Sequence, residues 1–316
     1  MKKRITLALL GAFILAFSVA ACGDDEEESA GGGGGGGGDL SGNIRIDGSS
    51  TVQPFAEAAA ELFNEENPNV RITVGGAGTG DGFEKFCRGE TQISDASRAI
   101  EAEEEAACKE GSVEPVEVQV ASDGITVVTN KSLTVECMTT AQLKEVFGKG
   151  SSVTNLSAVD PKLPDQELAL FTPGTESGTY DFFTEEINGE EGVQRTKGVQ
   201  TSADDNVLVT GVSGEQGGLG YFGFSFYDQN KDQLNAVGVD GGSGCVKPSV
   251  QTIQDGSYKP LSRELYMYPS RKALQQPEVK AFLEFAVDNH QEIAEAAEIV
   301  PMPESAAQKS KQAVGG

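Results

Sequence analysis

Apolar and polar residues recur along this chain with two periods that take turns. Residues 44–46 alternate as a short strand ended by Gly48. Phe55, Ala59, Leu62 and Phe63 then share one face of a helix predicted over 52–67. Pro54 is tolerated in its first turn, and Asn67-Pro68 stops it. A strand at 70–74 leads into the run Gly75-Gly76-Ala77-Gly78-Thr79-Gly80-Asp81-Gly82 and a helix over 83–88. A further helix, over 100–110, is acidic on its exposed side. The longest β-rich stretch covers 116–130 and is interrupted at Ser122-Asp123-Gly124. Beyond it the pattern predicts a helix over 139–147, a strand over 168–171 and a helix over 178–187. A second glycine cluster, at 217–223, and a strand over 265–268 come next. The longest helix is expected over 276–299, with Val279, Phe282, Leu283 and Ala286 at helical spacing. Strands alternating with helices through short glycine-rich connections predict an α/β protein. No internal repeat is visible.

The N-terminus belongs to a different regime. Residues 1–4 are a charged start, and the apolar run 5–21 is short for a membrane span but right for a signal peptide. It ends in Val19-Ala20-Ala21-Cys22, which resembles the bacterial lipobox, where the cysteine is lipidated and becomes the first residue. An ordinary signal cut nearby, with Cys22 incidental, is the competing reading. The lipoprotein is favoured because an acidic run and eight consecutive glycines at 31–38 follow at once, a composition that makes a spacer and not a core. Residues 1–21 are thus expected as signal peptide and 22–38 as a lipidated tether, which places the chain outside the cytoplasm.

Charge narrows the partners. The chain carries 24 Lys+Arg against 49 Asp+Glu, a net −25; without Lys2, Lys3 and Arg4 the balance is 21 against 49, or −28. Nucleic acid and anionic membrane surfaces attract basic patches, so neither is expected as a general partner. The single histidine, His290, excludes most histidine-based triads and metal sites. With Cys22 set aside, Cys87, Cys108, Cys137 and Cys245 form an even set in an oxidising compartment, with three pairings open. A zinc site competes, but no Cys-x-x-Cys spacing supports it.

Three segments share one design, small hydroxyl or glycine residues between a strand end and a helix start: Gly48-Ser49-Ser50-Thr51, Gly78-Thr79-Gly80 and Glu176-Ser177-Gly178-Thr179. Each sets backbone N–H groups and a hydroxyl at the positive end of a helix, where an anion is favoured. A single such segment is the ordinary N-cap. Three in one chain point to a shared oxyanion site if the fold brings them together. Arg98, in Ser94-Asp95-Ala96-Ser97-Arg98, could add a forked, charge-assisted bond. The plainer reading of Arg98 is a surface residue balancing Glu101 and Glu103. Other phosphate and nucleophile motifs fail: Gly80 is followed by Asp81 and not by Lys, the dinucleotide spacing meets Asp81 or Phe83 where glycine is required, and Ser177 is fourth in Gly174-Thr175-Glu176-Ser177-Gly178 where a nucleophile elbow needs it third.

Taken in order, Gly48-Ser49-Ser50-Thr51-Val52-x-Pro54, Gly78-Thr79-Gly80-x-Gly82-Phe83, Ile93-x-x-Ala96-Ser97-Arg98 and Pro173-Gly174-Thr175-x-Ser177-Gly178-Thr179-x-Asp181 resemble the signatures of the Pst-type phosphate-binding proteins of bacterial ABC transporters. Asp204-Asp205-Asn206, Gly220-Tyr221-Phe222-Gly223 and Pro260-Leu261-Ser262-Arg263 add to the resemblance, which runs from about 44 to 303. It implies a two-lobed periplasmic-binding-protein-like fold of type II with two interlobe crossovers: 39–121 plus 256–306 as lobe one, 122–255 as lobe two. That division implies the pairs Cys87–Cys108 and Cys137–Cys245, each inside one lobe. Phosphate would be held by Ser50, Thr51, Thr79, Gly80 and Arg98 from lobe one and Ser177, Gly178 and Thr179 from lobe two. The carboxylate that accepts a phosphate proton stays open among Asp81, Asp95 and Glu176. The resemblance further implies membrane permease subunits as partners, attachment through Cys22, a monomer, no cofactor or metal, and no catalytic residue. At neutral pH phosphate still carries protons and sulfate has none, so a buried carboxylate acceptor would favour phosphate. A binder of another oxyanion, an extracellular hydrolase and an adhesin on the same fold are the alternatives.

Overall fold

The computed structural model describes residues 40–175 and 177–315. The expected signal peptide, Cys22, the tether and the candidate acceptor Glu176 lie outside the described residues.

The chain opens with β1 (Gly42–Gly48), α1 (Gln53–Glu66), β2 (Val70–Val74), α2 (Thr79–Cys87), β3 (Ile93–Ala96) and α3 (Ala102–Glu110). β1 pairs in parallel with β2 on one side and β3 on the other. Ile44, Ile46, Val70 and Ile93 from these strands bury against the apolar face of α1, which presents Phe55, Ala56, Ala59 and Phe63. Burying the isoleucine, valine and phenylalanine side chains of this set contributes about 1.5–3 kcal/mol each. The period-3.6 stripe seen in the sequence is therefore the core face of this lobe.

β4 (Val118–Asn130) then runs out of the first lobe and into a second. There follow β5 (Cys137–Thr139), α4 (Thr140–Phe147), β6 (Ala169–Pro173), α5 (Gly178–Phe183), β7 (Val199–Ser202), α6 (Asp205–Gly214), β8 (Gly218–Gly223), α7 (Phe224–Gln229), β9 (Leu234–Ala236), β10 (Gly238–Asp240), β11 (Cys245–Val246) and α8 (Val250–Gln254). Their core centres on Phe183 and Tyr221, stacked with ring centroids 3.6 Å apart, and on Phe147, edge-on to both. β12 (Ser262–Pro269) returns to the first lobe. α9 (Pro277–Asp288), α10 (His290–Ala296), β13 (Val300–Pro301) and α11 (Glu304–Gly315) complete the chain.

One curled sheet runs through both lobes in the order β2-β1-β3-β12-β4-β8-β6-β7, with β9 and β13 also paired to β4; a small sheet has the order β11-β10-β5. β4 is the shared member. Its first half pairs with β12 and its second half with β8 and β9. Ala121 and Leu265 lie in the first core, Ile125 and Leu261 in the second, so the chain crosses between lobes at 121–125 and at 261–265. Tyr258 and Leu261 pack in the second core, beyond the crossover expected at 255/256.

The interruption expected at Ser122-Asp123-Gly124 is not a break. These residues pair in register with Glu264, Arg263 and Ser262, and Arg263 meets the Asp123 carboxylate. The glycine cluster at 217–223 contains a strand, β8, whose Leu219, Tyr221 and Phe222 are fully buried. The long helix expected over 276–299 is two helices. Asn289 ends α9 by giving both its backbone N–H and its side-chain Nδ2 to the Phe285 carbonyl. His290 stands at that junction with Nδ1 2.9 Å from the Val287 carbonyl, remote from any chemistry. Disulfides join Cys87 to Cys108, between α2 and α3, and Cys137 to Cys245, between β5 and β11. Among the described residues no helix is long and apolar enough to cross a membrane, and no group of three or more His, Cys, Asp or Glu is placed to hold a metal ion.

Candidate functional site

The end of β1 is forced against the end of β3. A Cβ on Gly48 would stand 2.1 Å from the Asp95 carbonyl oxygen, so only glycine fits, and the next N–H, that of Ser49, donates to the same carbonyl at 2.9 Å. The Ser49 hydroxyl accepts from the Thr51 N–H, and the Ser49 carbonyl accepts from Val52 and Gln53. The N-cap of α1 is Val52, whose side chain cannot cap. Ser50 and Thr51 are therefore not the helix caps that a Ser/Thr run ordinarily supplies; both line the space between the lobes.

Asp47 organises the neighbouring glycine-rich loop. Its Oδ1 accepts from the N–H groups of Gly48 (2.9 Å) and Ala77 (3.2 Å), and its Oδ2 takes Lys85 Nζ at 2.5 Å. Burial raises the Asp47 pKa, but Lys85 and the two backbone donors outweigh it and hold the carboxyl below its usual range. The loop delivers Thr79 at the first residue of α2, followed by Gly80 and Asp81. Thr79 Oγ1 lies 3.1 Å from Ser97 Oγ and accepts from the Ser97 N–H, which ties the second loop to the third.

Arg98 lies on the wall of the same cavity, with its charge already matched. Nη1 and Nη2 donate to the two carboxylate oxygens of Glu104, each at 2.8 Å, and Nε is 3.3 Å from Glu101. Its side chain is 39% exposed. Asp95 is the opposite case: fully buried, with neither carboxyl oxygen partnered among the described residues. Desolvation, reinforced by the Asp47 charge, pushes its pKa well up from the usual carboxylate range.

The second lobe contributes the start of α5. Ser177 caps it by accepting the Thr179 N–H at 3.2 Å. Gly178 presses on the first lobe: a Cβ there would lie 2.5 Å from Thr51 Oγ1, 3.0 Å from Ser50 Oγ and 3.2 Å from the Thr51 nitrogen. Beside this contact sits a residue quoted above in Pro260-Leu261-Ser262-Arg263 but given no part in the expected ligand set. Arg263, on β12, donates through Nη2 to Thr51 Oγ1 at 2.7 Å and to the Gly178 carbonyl at 3.4 Å, and through Nε to Asp123 at 3.2 Å. Its guanidinium carbon is 3.8 Å from the centre of the Phe182 ring. The signal for it was its setting: one cation in Leu261-Ser262-Arg263-Glu264-Leu265, an otherwise half-apolar strand.

The Thr51–Gly178 contact divides the interlobe space in two. On one side is a cavity of about 800 Å³ that takes in Ser50, Thr51, Thr79, Gly80, Asp81, Arg98, Gly178 and Arg263. Its rim is acidic, with Glu101, Asp181, Glu185, Glu186, Glu191 and Glu264. Burial and like-charged neighbours raise the pKa values of Asp181 and Glu186. On the other side is a cavity of about 610 Å³ lined by Ser177, Thr179, Asp123, Asp205 and Glu298 together with Ser50, Thr51 and Gly178. The structure thus brings Ser50, Thr51 and Gly178 into contact, puts Thr79, Gly80, Asp81 and Arg98 on one side and Ser177 and Thr179 on the other, and buries Asp95 away from both cavities.

This two-lobed architecture, with hydroxyls and helix starts meeting between the lobes, is that of an extracytoplasmic binding-protein fold. Residues 33–290 match the model of the PBP superfamily domain, and the chain belongs to that superfamily. It is 43% identical over 267 residues to protein SphX of Synechococcus elongatus, covering 83% of this chain and 78% of that one. It is 40% identical over 266 residues to the phosphate-binding protein PstS of Staphylococcus saprophyticus, covering 83% and 81%. A crystal structure of a possible phosphate binding protein from Planctomyces limnophilus superposes with a TM-score of 0.82 at 40% identity, covering 87% of this chain and 98% of that one. The family is one of binding proteins and not of enzymes.

Two expectations follow from the geometry. Gly178→Ala drives a methyl into Thr51 and holds the lobes apart; solution scattering should record a larger radius of gyration, and an unchanged radius would show that the contact yields freely. Asp205, facing Glu298 across the second cavity, is pushed up to about 7 by burial, then by Glu298 and Asp204. The native state then holds a proton that the unfolded chain loses near pH 4, so this group's contribution falls as pH rises from about 4 to 7. Asp205→Asn should remove that slope and raise stability at pH 8 by on the order of 2 kcal/mol, read from thermal melts across pH. Parallel pH profiles for variant and parent would contradict it.

Proposed function

We propose that this protein binds inorganic phosphate between its two lobes and delivers it to the membrane permease subunits of an ABC importer, as an extracytoplasmic lipoprotein held by Cys22. The observation that carries the proposal is the meeting of Ser50-Thr51 with Gly178 across the lobes. Three hydroxyl- and glycine-rich helix starts lie within reach of that junction, in a chain about 40% identical to a named phosphate-binding protein. The hydroxyls of Ser50, Thr51, Thr79, Ser177 and Thr179 and the backbone N–H groups of Gly80 and Gly178 serve as neutral donors to phosphate oxygens. Gly178 is pressed so closely on Thr51 that a tetrahedral anion enters only when the lobes part, and it draws both sides together once held.

Of the candidate proton acceptors, Asp81 is exposed at the cavity, whereas Asp95 is buried without a partner beneath the loops. We assign the role to Asp81, the one of the two that lines the cavity. Its carboxylate accepts from P–OH. Sulfate at neutral pH has no proton to give, so it leaves that acceptor unsatisfied and gains less from the site.

Phosphate-stripped protein should melt roughly 5–10 °C higher with phosphate at a hundred times its dissociation constant, the shift expected for about 2.7 kcal/mol of ligand stabilisation in a chain of this size. Sulfate should produce little. No shift with phosphate would sink the proposal. Asp81→Asn should lower the phosphate-over-sulfate preference at least tenfold, and Asp95→Asn should leave it; the reverse pattern would move the acceptor role to Asp95.

A further inference from the structure

The charge of the anion needs a counterpart, and the cleft wall carries two arginines. We infer that Arg263, rather than Arg98, is the cation that meets the bound anion, and that it couples anion capture to lobe closure. The inference rests on the phosphate reading given above and assigns its charged ligand.

Position comes first. Arg263 stands on β12 directly opposite Asp123 of β4, in the stretch where both strands pass between the lobes. It therefore belongs to the crossover itself. Its side chain is 14% exposed and that of Asp123 is 8% exposed, so the pair is sheltered from solvent screening. Asp123 fixes the guanidinium from the Nε side, and Phe182 of the second lobe supports it at 3.8 Å. The Nη2 edge is aimed at Thr51 of the first lobe and at the Gly178 carbonyl of the second, the junction an anion must enter. The 3.4 Å bond to Gly178 is the longest of this set and the weakest hold on Nη2. Nη1 makes no hydrogen bond among the described residues, and Arg263 lines the larger cavity. A planar fork held on one side and unfilled on the other suits an oxyanion.

Arg98 is the contrasting case. Both terminal nitrogens are spent on Glu104 in a bidentate pair, Glu101 adds a second carboxylate, and the side chain faces solvent. For Arg98 to bind phosphate that fork would have to break. Burial lowers the Arg263 pKa and Asp123 counters it, and a guanidinium is basic enough to stay charged in the physiological range.

The test uses the folded chain and inorganic phosphate, with calorimetry at fixed salt and scattering with and without ligand. Arg263→Gln should weaken phosphate binding at least a hundredfold, and Arg98→Gln less than threefold. Phosphate should shrink the radius of gyration of the parent and of Arg98→Gln, but not of Arg263→Gln. Should Arg263→Gln fail to fold, Arg263→Lys carries the test: it keeps the charge, loses the fork, and should cost at least tenfold while its melting point without ligand stays near the parent's. A parent that binds phosphate, with Arg263 variants within threefold and Arg98→Gln weakened a hundredfold, would overturn the inference. A parent that binds no phosphate would instead overturn the function it rests on.

Discussion

Where β4 and β12 cross between the lobes, a guanidinium faces a carboxylate with little water around either. Taking both charges out of water costs several kcal/mol per ion, and their attraction does not always repay it, so such a pair is weak evidence for stability. Its effect here is on arrangement. Asp123 holds Arg263 at the one place from which a side chain on a crossing strand reaches Thr51 in the first lobe and Gly178 and Phe182 in the second. The loops of each lobe could be built without it. Their relative placement depends on it.

The charge of the chain makes this local arrangement necessary. At −25 overall, with seven acidic residues lining the larger cavity, the long-range field opposes an approaching anion. Beyond about 8 Å at physiological salt that field is screened, which limits its influence on both the ligand and its competitors. Recognition then falls to bonds of hydrogen-bond length made where solvent is excluded. The acidic rim and the buried fork are compatible because they act over different distances.

Much of the fold was legible because periodicity reports burial. The stripe Phe55, Ala59, Phe63 on α1 and the strand at 70–74 were visible since one lobe buries them against one sheet. β4 was harder: Ser122 and Asp123 read as a break, because alternation cannot show that a polar pair is buried when its partner, Arg263, lies far away in sequence. α11 was missed for a related reason. Its buried face is Ala306, Ala307, Ser310 and Val314, and the Ser310 hydroxyl is satisfied by the Gln119 carbonyl, so little apolar contrast marks it. At the site, the hydroxyl and glycine segments carried their own signal, whereas the two arginines could be told apart only by their neighbours. Glu104, which occupies Arg98, sits six residues on and reads from sequence as one more surface acid on α3.

The two cavities share Ser50, Thr51 and Gly178, so the proposed site belongs to neither lobe by itself. A donor set split in this way has a consequence for binding strength. Each lobe alone offers a few neutral bonds, worth about 0.5–1.5 kcal/mol apiece against water, which cannot retain a strongly hydrated anion. In the proposed site both sets and the guanidinium act together with water excluded, and each bond then approaches the strength of a charge-assisted one. Affinity is then a property of the closed form. Any change that alters the crossover, even one remote from the hydroxyls, acts on binding through the population of that form.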